Sequence, residues 1–226
     1  MKTNKHSIWD FVSFNQKRFQ ALANKVWSTP ETCYTEQLSM RAHVEELKYH
    51  EFSVKTGIAN IPTAVLGEYG KSGPIIAFLG EYDALAGLSQ KADQFRQVPI
   101  EKGGNGHGCG HNLLGSASMQ AAVALKNWLQ ESNLPGVVRY YGCPAEEGGA
   151  AKTFMVRDKV FEDVDAAITW HPGCLPGLVK GSSLANCRVD FTFQGRASHA
   201  AVSPHLGRSA LDAVELMNIG INYLRE

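Results

Sequence analysis

The 226 residues carry 22 Lys and Arg against 22 Asp and Glu, so no basic field recommends nucleic acid or anionic lipid as a partner. Hydrophobic content of 44% with 19% charged residues is ordinary for a globular chain, and no apolar run approaches the ~20 residues that a membrane span needs. The first residues lack a continuous apolar core, so a secretory signal is not expected. The five cysteines are widely spaced and odd in number, which fits a reduced, cytoplasmic setting better than a disulfide framework.

Ile8, Phe11, Val12, Phe19, Leu22 and Val26 recur at helical spacing and predict a first amphipathic helix. Thr29 to Thr32 interrupts it, and Thr35 to Tyr49 reads as a second helix with Leu38, Ala42 and Leu47 inward. Pro74 precedes the apolar run Ile75 to Leu79, a buried strand, and residues 86–106 form a long loop without period. A helix from about Leu114 to Glu131, a strand over Val137 to Tyr141, a helix over Lys152 to Val160 and a strand over Ala166 to Thr169 follow. Alternating strands and helices predict an α/β domain, its sheet covered by helices on both faces.

The pattern changes after Gly177. Cys187, Val189, Phe191 and Phe193 alternate with polar residues and predict a strand over Ala185 to Phe193 with one wet face. Leu211, Val214, Met217, Ile221 and Leu224 then repeat as a helix, and the sequence stops at Glu226 without a capping signal. The expectation is a first domain over 1–181 and the opening strand and helix of a second, α+β domain over 182–226, cut short.

Three clusters follow three of these strands: Glu81-Tyr82-Asp83, Glu146-Glu147 and His171-Pro172. Ligands of open α/β sheets gather at the carboxyl ends of strands, so the clusters are expected to share one crevice. Gly106-His-Gly-Cys-Gly-His-Asn112 adds a thiol and imidazoles separated by glycines. Cys109, His111, Glu147 and His171 make a donor set suited to Zn, Mn or Co, and of two adjacent glutamates one can bind the ion while its neighbour stays free to take a proton from water. Asp83 suits the orienting of a ligand imidazole. Bland alternatives exist for each cluster: a solvated acidic turn at Glu146-Glu147, a satisfied buried His171, and Asp83 capping a helix that begins at Ala84. Cys109 also precedes a helix, whose positive end favours thiolate, so a thiol nucleophile is a competing reading. His205 and Arg208 either bind a substrate carboxylate or fix the start of the last helix. Cys33, Cys143, Cys174 and Cys187 read as small buried hydrophobes, and His6, His43 and His50 as surface residues.

Residues 106–112, Cys143-Pro-Ala-Glu-Glu-Gly-Gly149, Trp170-His-Pro172 and Ala197-Ser-His-Ala-Ala-Val-Ser-Pro-His-Leu-Gly-Arg208 together resemble the M20 metallopeptidase family. The likeness is to its amidohydrolase branch, which cleaves N-acyl and N-aroyl amino acids, and runs from about Phe19 to the last residue. It implies a zinc-peptidase-like catalytic sheet and two divalent ions, Mn or Zn. Cys109, His111, Glu147 and His171 are then ligands and Glu146 the general base. It also implies that residues from Ser182 onward open an inserted lid or dimerisation domain, in a homodimer or with a related subunit. There His199 would reach a partner's site and steady the oxyanion. Asn112 stands where much of the branch has Asp, and Glu81 where the wider family has a ligand-orienting His. The family's last histidine ligand has no counterpart in these residues, so little activity is expected of the chain alone. A non-catalytic metal-binding or assembly module is the reading that competes from outside enzymology.

Overall fold

The computed structural model describes residues 4–178 and 181–225, which form two compact units, the first ending at Leu175 and the second beginning at Pro176. In the first unit, α1 (Asn4–Trp27) and α2 (Gln37–Tyr49) precede β1 (Ser53–Thr56), β2 (Val65–Tyr69) and β3 (Ile75–Gly80). Then come α3 (His111–Ser132), β4 (Val137–Gly142), the one-turn α4 (Glu146–Gly149), α5 (Ala151–Arg157) and β5 (Ala166–Ile168). The strands form one sheet in the order β1-β2-β4-β3-β5. β3 lies parallel to both β4 and β5, whereas β1 and β2 are antiparallel additions beyond β4. These two strands were not legible in the sequence, because Ser53 to Tyr69 mixes polar and apolar residues without clean alternation.

The side chains of the central strands sort by their period of two. Phe78, Val138 and Tyr140 face a core closed by Phe19, Leu22 and Val26 of α1, Leu47 of α2 and Met119 and Val123 of α3. Ala77, Leu79 and Tyr141 face the other way, onto Met155 of α5 with Phe161 and Val164. The expected helices on both faces are therefore present. α3 approaches β3 so closely that a Cβ on Gly115 would lie 2.3 Å from the Glu81 carbonyl oxygen, so only glycine fits. The segment between β3 and α3 is a ribbon rather than a formless loop: Leu85 and Gly106 exchange both backbone hydrogen bonds, and Ser89 N–H donates to Gly104 O.

Several expectations for single residues need correction. Leu38 is half exposed, and the inward stripe of α2 runs through Ser39, Ala42, His43 and Leu47 instead. His43 is thus a core residue, its ring 4.9 Å from Tyr82 and 6.0 Å from Tyr140, with Nδ1 2.9 Å from Ser39 O. His50 is also largely covered and pairs with Glu46 one turn back, whereas Cys174 and Cys187 are exposed.

In the second unit, the antiparallel bridge between Arg196 and Arg208 closes a loop containing a 3-10 turn at Pro204–Leu206. α6 (Ala210–Tyr223) follows, and its first turn is capped by Ser209 Oγ, which accepts from Asp212 N–H. The strand expected over 185–193 is not formed. A strand needs a neighbour for its backbone groups, and none pairs with these residues among those described. Val189 and Phe191 stay exposed, and α6 buries none of its described residues.

Burial holds the His43 pKa down at about 4, from an ordinary 6.5. The folded value lies below the unfolded one, so this contribution to stability is complete above 6.5 and is lost as pH falls from there towards 4. The full loss is about 3 kcal/mol. Urea unfolding across that interval should show the loss in the wild type and a shallower one in His43→Gln, measured as the difference between the two slopes.

Candidate metal centre

β4, β3 and β5 run parallel and finish on one edge of the sheet, with Gly80 opposite Gly142 and Phe78 opposite Ile168. The chain beyond each carries one chemical cluster: Glu81 to Asp83 after β3, Glu146 and Glu147 after β4, and His171 after β5. α3 supplies the fourth group. Gly110 takes a left-handed φ of 79° at its N-terminus, a conformation that costs glycine least, and so turns the chain between Cys109 and His111.

Asp83 ties three of these segments together. Its Oδ1 and its carbonyl oxygen each lie 3.0 Å from His111 Nδ1, and its Oδ2 accepts from Glu147 N–H at 2.9 Å. Burial works to raise the Asp83 pKa, but the His111 hydrogen bond and the backbone donors outweigh it and hold the carboxyl below its ordinary value. No helix begins at Ala84, so the capping alternative falls away. Glu36, fully buried, makes a second tie. Its Oε1 accepts from Tyr34 N–H and from Ala145 N–H, both at 2.9 Å. That contact fixes the entry to α4, where Ala145 and Ala150 hold left-handed φ values of 53° and 49° on either side of the glutamates. Non-glycine residues keep such angles only when their surroundings over-determine them.

Both neighbours of His111 Nδ1 are acceptors, so Nδ1 carries the proton and Nε2 presents its lone pair. That lone pair meets only carboxylate oxygens: Glu81 Oε2 at 3.0 Å, Glu146 Oε2 at 3.6 Å and Glu147 Oε1 at 3.8 Å. His171 Nε2 lies 3.1 Å from the same Glu81 oxygen and 4.0 Å from Glu146 Oε1. Glu81 Oε2, His111 Nε2 and Glu147 Oε1 are buried without a hydrogen-bond partner. Acceptors facing acceptors repel unless a cation or proton lies between them, and buried atoms so arranged are the mark of a metal site. The donors fall into two overlapping groups, Cys109-His111-His171 and Glu81-His111-Glu146-His171, each within 4.8 Å. The residues therefore fit a borderline-soft divalent ion.

The electrostatics agree. Burial would lower the His111 pKa, yet the Asp83 bond and the charges of Asp83, Glu81 and Glu147 raise it on balance. Without a metal the lone pair recruits a proton instead. Burial, followed by the Glu147 charge, pushes the Cys109 thiol up to about 11. Burial and the surrounding carboxylates work against the expected pull of the helix end and disfavour a free thiolate; a bound cation would favour it.

Cys109, His111, Glu146, Glu147, His171 and Asp83 thus come together, but it is Glu146 that falls within the two donor groups, while Glu147, the glutamate expected as ligand, lies outside both with its Oε1 3.8 Å from His111 Nε2. Glu81 belongs with them as well: it is 1% exposed and its Oε1 accepts from Lys152 Nζ. The sequence signal for Glu81 was its place beside Asp83 at a strand end, whereas Lys152 and Glu36 had no motif to mark them. His107 does not join the cluster; its Nε2 donates to Val26 O at 3.1 Å, and burial lowers its pKa. Asn112 turns to Ala23 O. His199, His205 and Arg208 lie in the second unit, where His199 Nδ1 accepts from Ala201 N–H at 3.2 Å.

The model of peptidase family M20/M25/M40 matches residues 77–224. The chain is 50% identical over 219 residues to one of the subunits of the p-aminobenzoyl-glutamate hydrolase of Escherichia coli. That alignment covers 97% of the chain and 46% of the relative, so the chain spans less than half the relative's length. Among solved structures, a putative aminohydrolase from methicillin-resistant Staphylococcus aureus matches with a TM-score of 0.63 and 19% identity, over 97% of this chain and 57% of that one. A dinuclear metal-binding peptidase from Bacillus subtilis, YXEP, matches with a TM-score of 0.56 and 24% identity, over 67% and 41%. These two likenesses establish the fold.

Replacing Asp83 by Asn should leave the chain folded but release the His111 ring and the Glu147 backbone. Metal affinity should fall by about 10–100-fold, the usual effect of losing a group that orients a ligand. Isothermal titration with Zn or Mn measures it; an unchanged affinity would remove Asp83 from the site.

Proposed function

Because the chain belongs to peptidase family M20/M25/M40, we propose that it is the metal-binding part of an amidohydrolase acting on N-acyl or N-aroyl amino acids, with p-aminobenzoyl-glutamate as the example. The observation that carries this reading is the convergence of the His111, His171 and Glu81 lone pairs at the end of the parallel strands. The name of the E. coli relative supports the aroyl substrate, and its being one of several subunits supports assembly with a related chain or a second copy. Two overlapping donor groups support two ions, Mn or Zn. The odd number and wide spacing of the cysteines fit a reducing cytoplasm, and no described helix is long and apolar enough to cross a membrane.

Cys109, His111, Glu147 and His171 would hold the metal, which when bound polarises the amide carbonyl and acidifies water. Glu146 suits the base. Its side chain is 36% exposed against 19% for Glu147, so it reaches substrate and solvent while its neighbour stays inward. Burial and then the charge of Glu81 raise its pKa, bringing it nearer to that of a base working around neutral pH. Glu146 takes a proton from the attacking water and returns it to the departing amine nitrogen. Asp83 keeps the His111 lone pair aimed throughout, and His199 would reach a partner's site and donate to the oxyanion developing there. His205 and Arg208 are assigned to the substrate carboxylate, Arg208 offering a bidentate fork.

The chain grafted in place of the matching segment of the E. coli relative tests this reading. The chimera should release p-aminobenzoate from p-aminobenzoyl-glutamate and stop on chelation. Glu146→Gln should keep the metal and lose at least ~10²-fold in turnover. Loss of metal with turnover per bound ion preserved would exchange the roles of the two glutamates. A folded, metal-loaded chimera without turnover would overturn the function.

A further inference from the structure

Glu81 is, with Asp83, one of the two deeply buried carboxylates of the centre, and its two oxygens have different surroundings. Oε1 accepts from Lys152 Nζ, which reaches in from α5. Oε2 has no hydrogen-bond partner and points between two imidazoles, 3.0 Å from His111 Nε2 and 3.1 Å from His171 Nε2. Two atoms each about 2.1 Å from one ion, and about 90° apart, lie about 3.0 Å from each other. Glu81 Oε2 therefore already stands at such a spacing from each of the two imidazole nitrogens, all three atoms lying within 4.8 Å of one another.

From this geometry we propose that Glu81 is a direct metal donor through Oε2 alone, and that Lys152 is the positioning residue that keeps Oε1 out of the coordination shell. The proposal rests on the reading of this cluster as a metal centre and adds a donor and a clamp to it. A carboxylate free at both oxygens can rotate or chelate through both; one tied at Oε1 offers a single, fixed lone pair. Lys152 also supplies a positive charge beside Glu81 and Glu146, so the site holds several carboxylates close together without metal. The ammonium is a point charge on a flexible stem, and in this cluster it is held by one defined oxygen.

Cobalt(II) is the probe, because its absorption separates thiolate charge transfer from ligand-field bands. Titration of the chain should give both features, and Cys109→Ala should remove the charge-transfer band. Absence of cobalt binding by the wild type would overturn the metal centre itself, a result distinct from the following ones. In E81Q and in E81D, with folding checked by circular dichroism, cobalt affinity should fall at least ~10-fold. The ligand-field bands should shift and the charge-transfer band remain. Wild-type affinity and spectrum in either folded variant would remove Glu81 from the coordination shell. K152M should alter the ligand-field bands while K152R keeps them, since only the latter can hold Oε1. A K152M spectrum identical to the wild type's would show that Lys152 only anchors α5.

Discussion

The carboxylate of Asp83 is the contact on which the site depends. One oxygen sets the tautomer of His111 and the other holds the backbone of Glu147, so the end of β3, the start of α3 and the turn after β4 share one anion. None of these segments is long enough to define the position of its neighbour to within a bond length. The shared carboxylate does so, because it is buried and both its partners donate. Its preference for the ionised state follows from the same two bonds, and so does the direction of the His111 lone pair.

Around that anion the protein keeps further polar groups where an apolar core would be simpler. Glu36 fixes Ala145, and Lys152 holds Glu81. Pairing with Lys152 offsets the cost of burying Glu81, while Glu36 relies on backbone N–H donors and burial raises its pKa; the gain is a rigid cradle. Within the cluster itself, the unpartnered atoms of Glu81 and Glu147 both face the unpartnered Nε2 of His111.

Much of this was legible in the sequence for a physical reason. Buried parallel strands read as apolar runs, so β3 and β4 announced themselves, and the short apolar run of β5 did so although the strand is exposed; with them came the strand ends where Asp83, Glu146, Glu147 and His171 stand. The Gly-spaced Cys109 and His111 were equally visible. What the sequence hid depends on packing in three dimensions. Glu36, just ahead of α2, and Lys152, on α5, are charged residues that look solvated until the fold covers them. His43 lay on the helical stripe shared by Ala42 and Leu47, and that period could have placed it in the core. The missing strand over 185–193 shows the converse: alternation gives a strand its faces but cannot supply the neighbour it must bond to.

β5 is three residues long, exposed along its length, and sits at the edge of the sheet beside β3 alone. It nevertheless leads directly to His171, one of the two imidazoles on which the centre closes. The least secured strand therefore carries a donor that meets groups anchored in the most secured parts of the unit. An ion shared by His171 and His111 would act as a cross-link between residues 60 positions apart in sequence. It would fasten the margin of the sheet to the helix that starts over its centre. The metal would then serve as a structural rivet as well as a reagent, and the backbone amides of β5 would be where its arrival is felt first, as slowed hydrogen exchange.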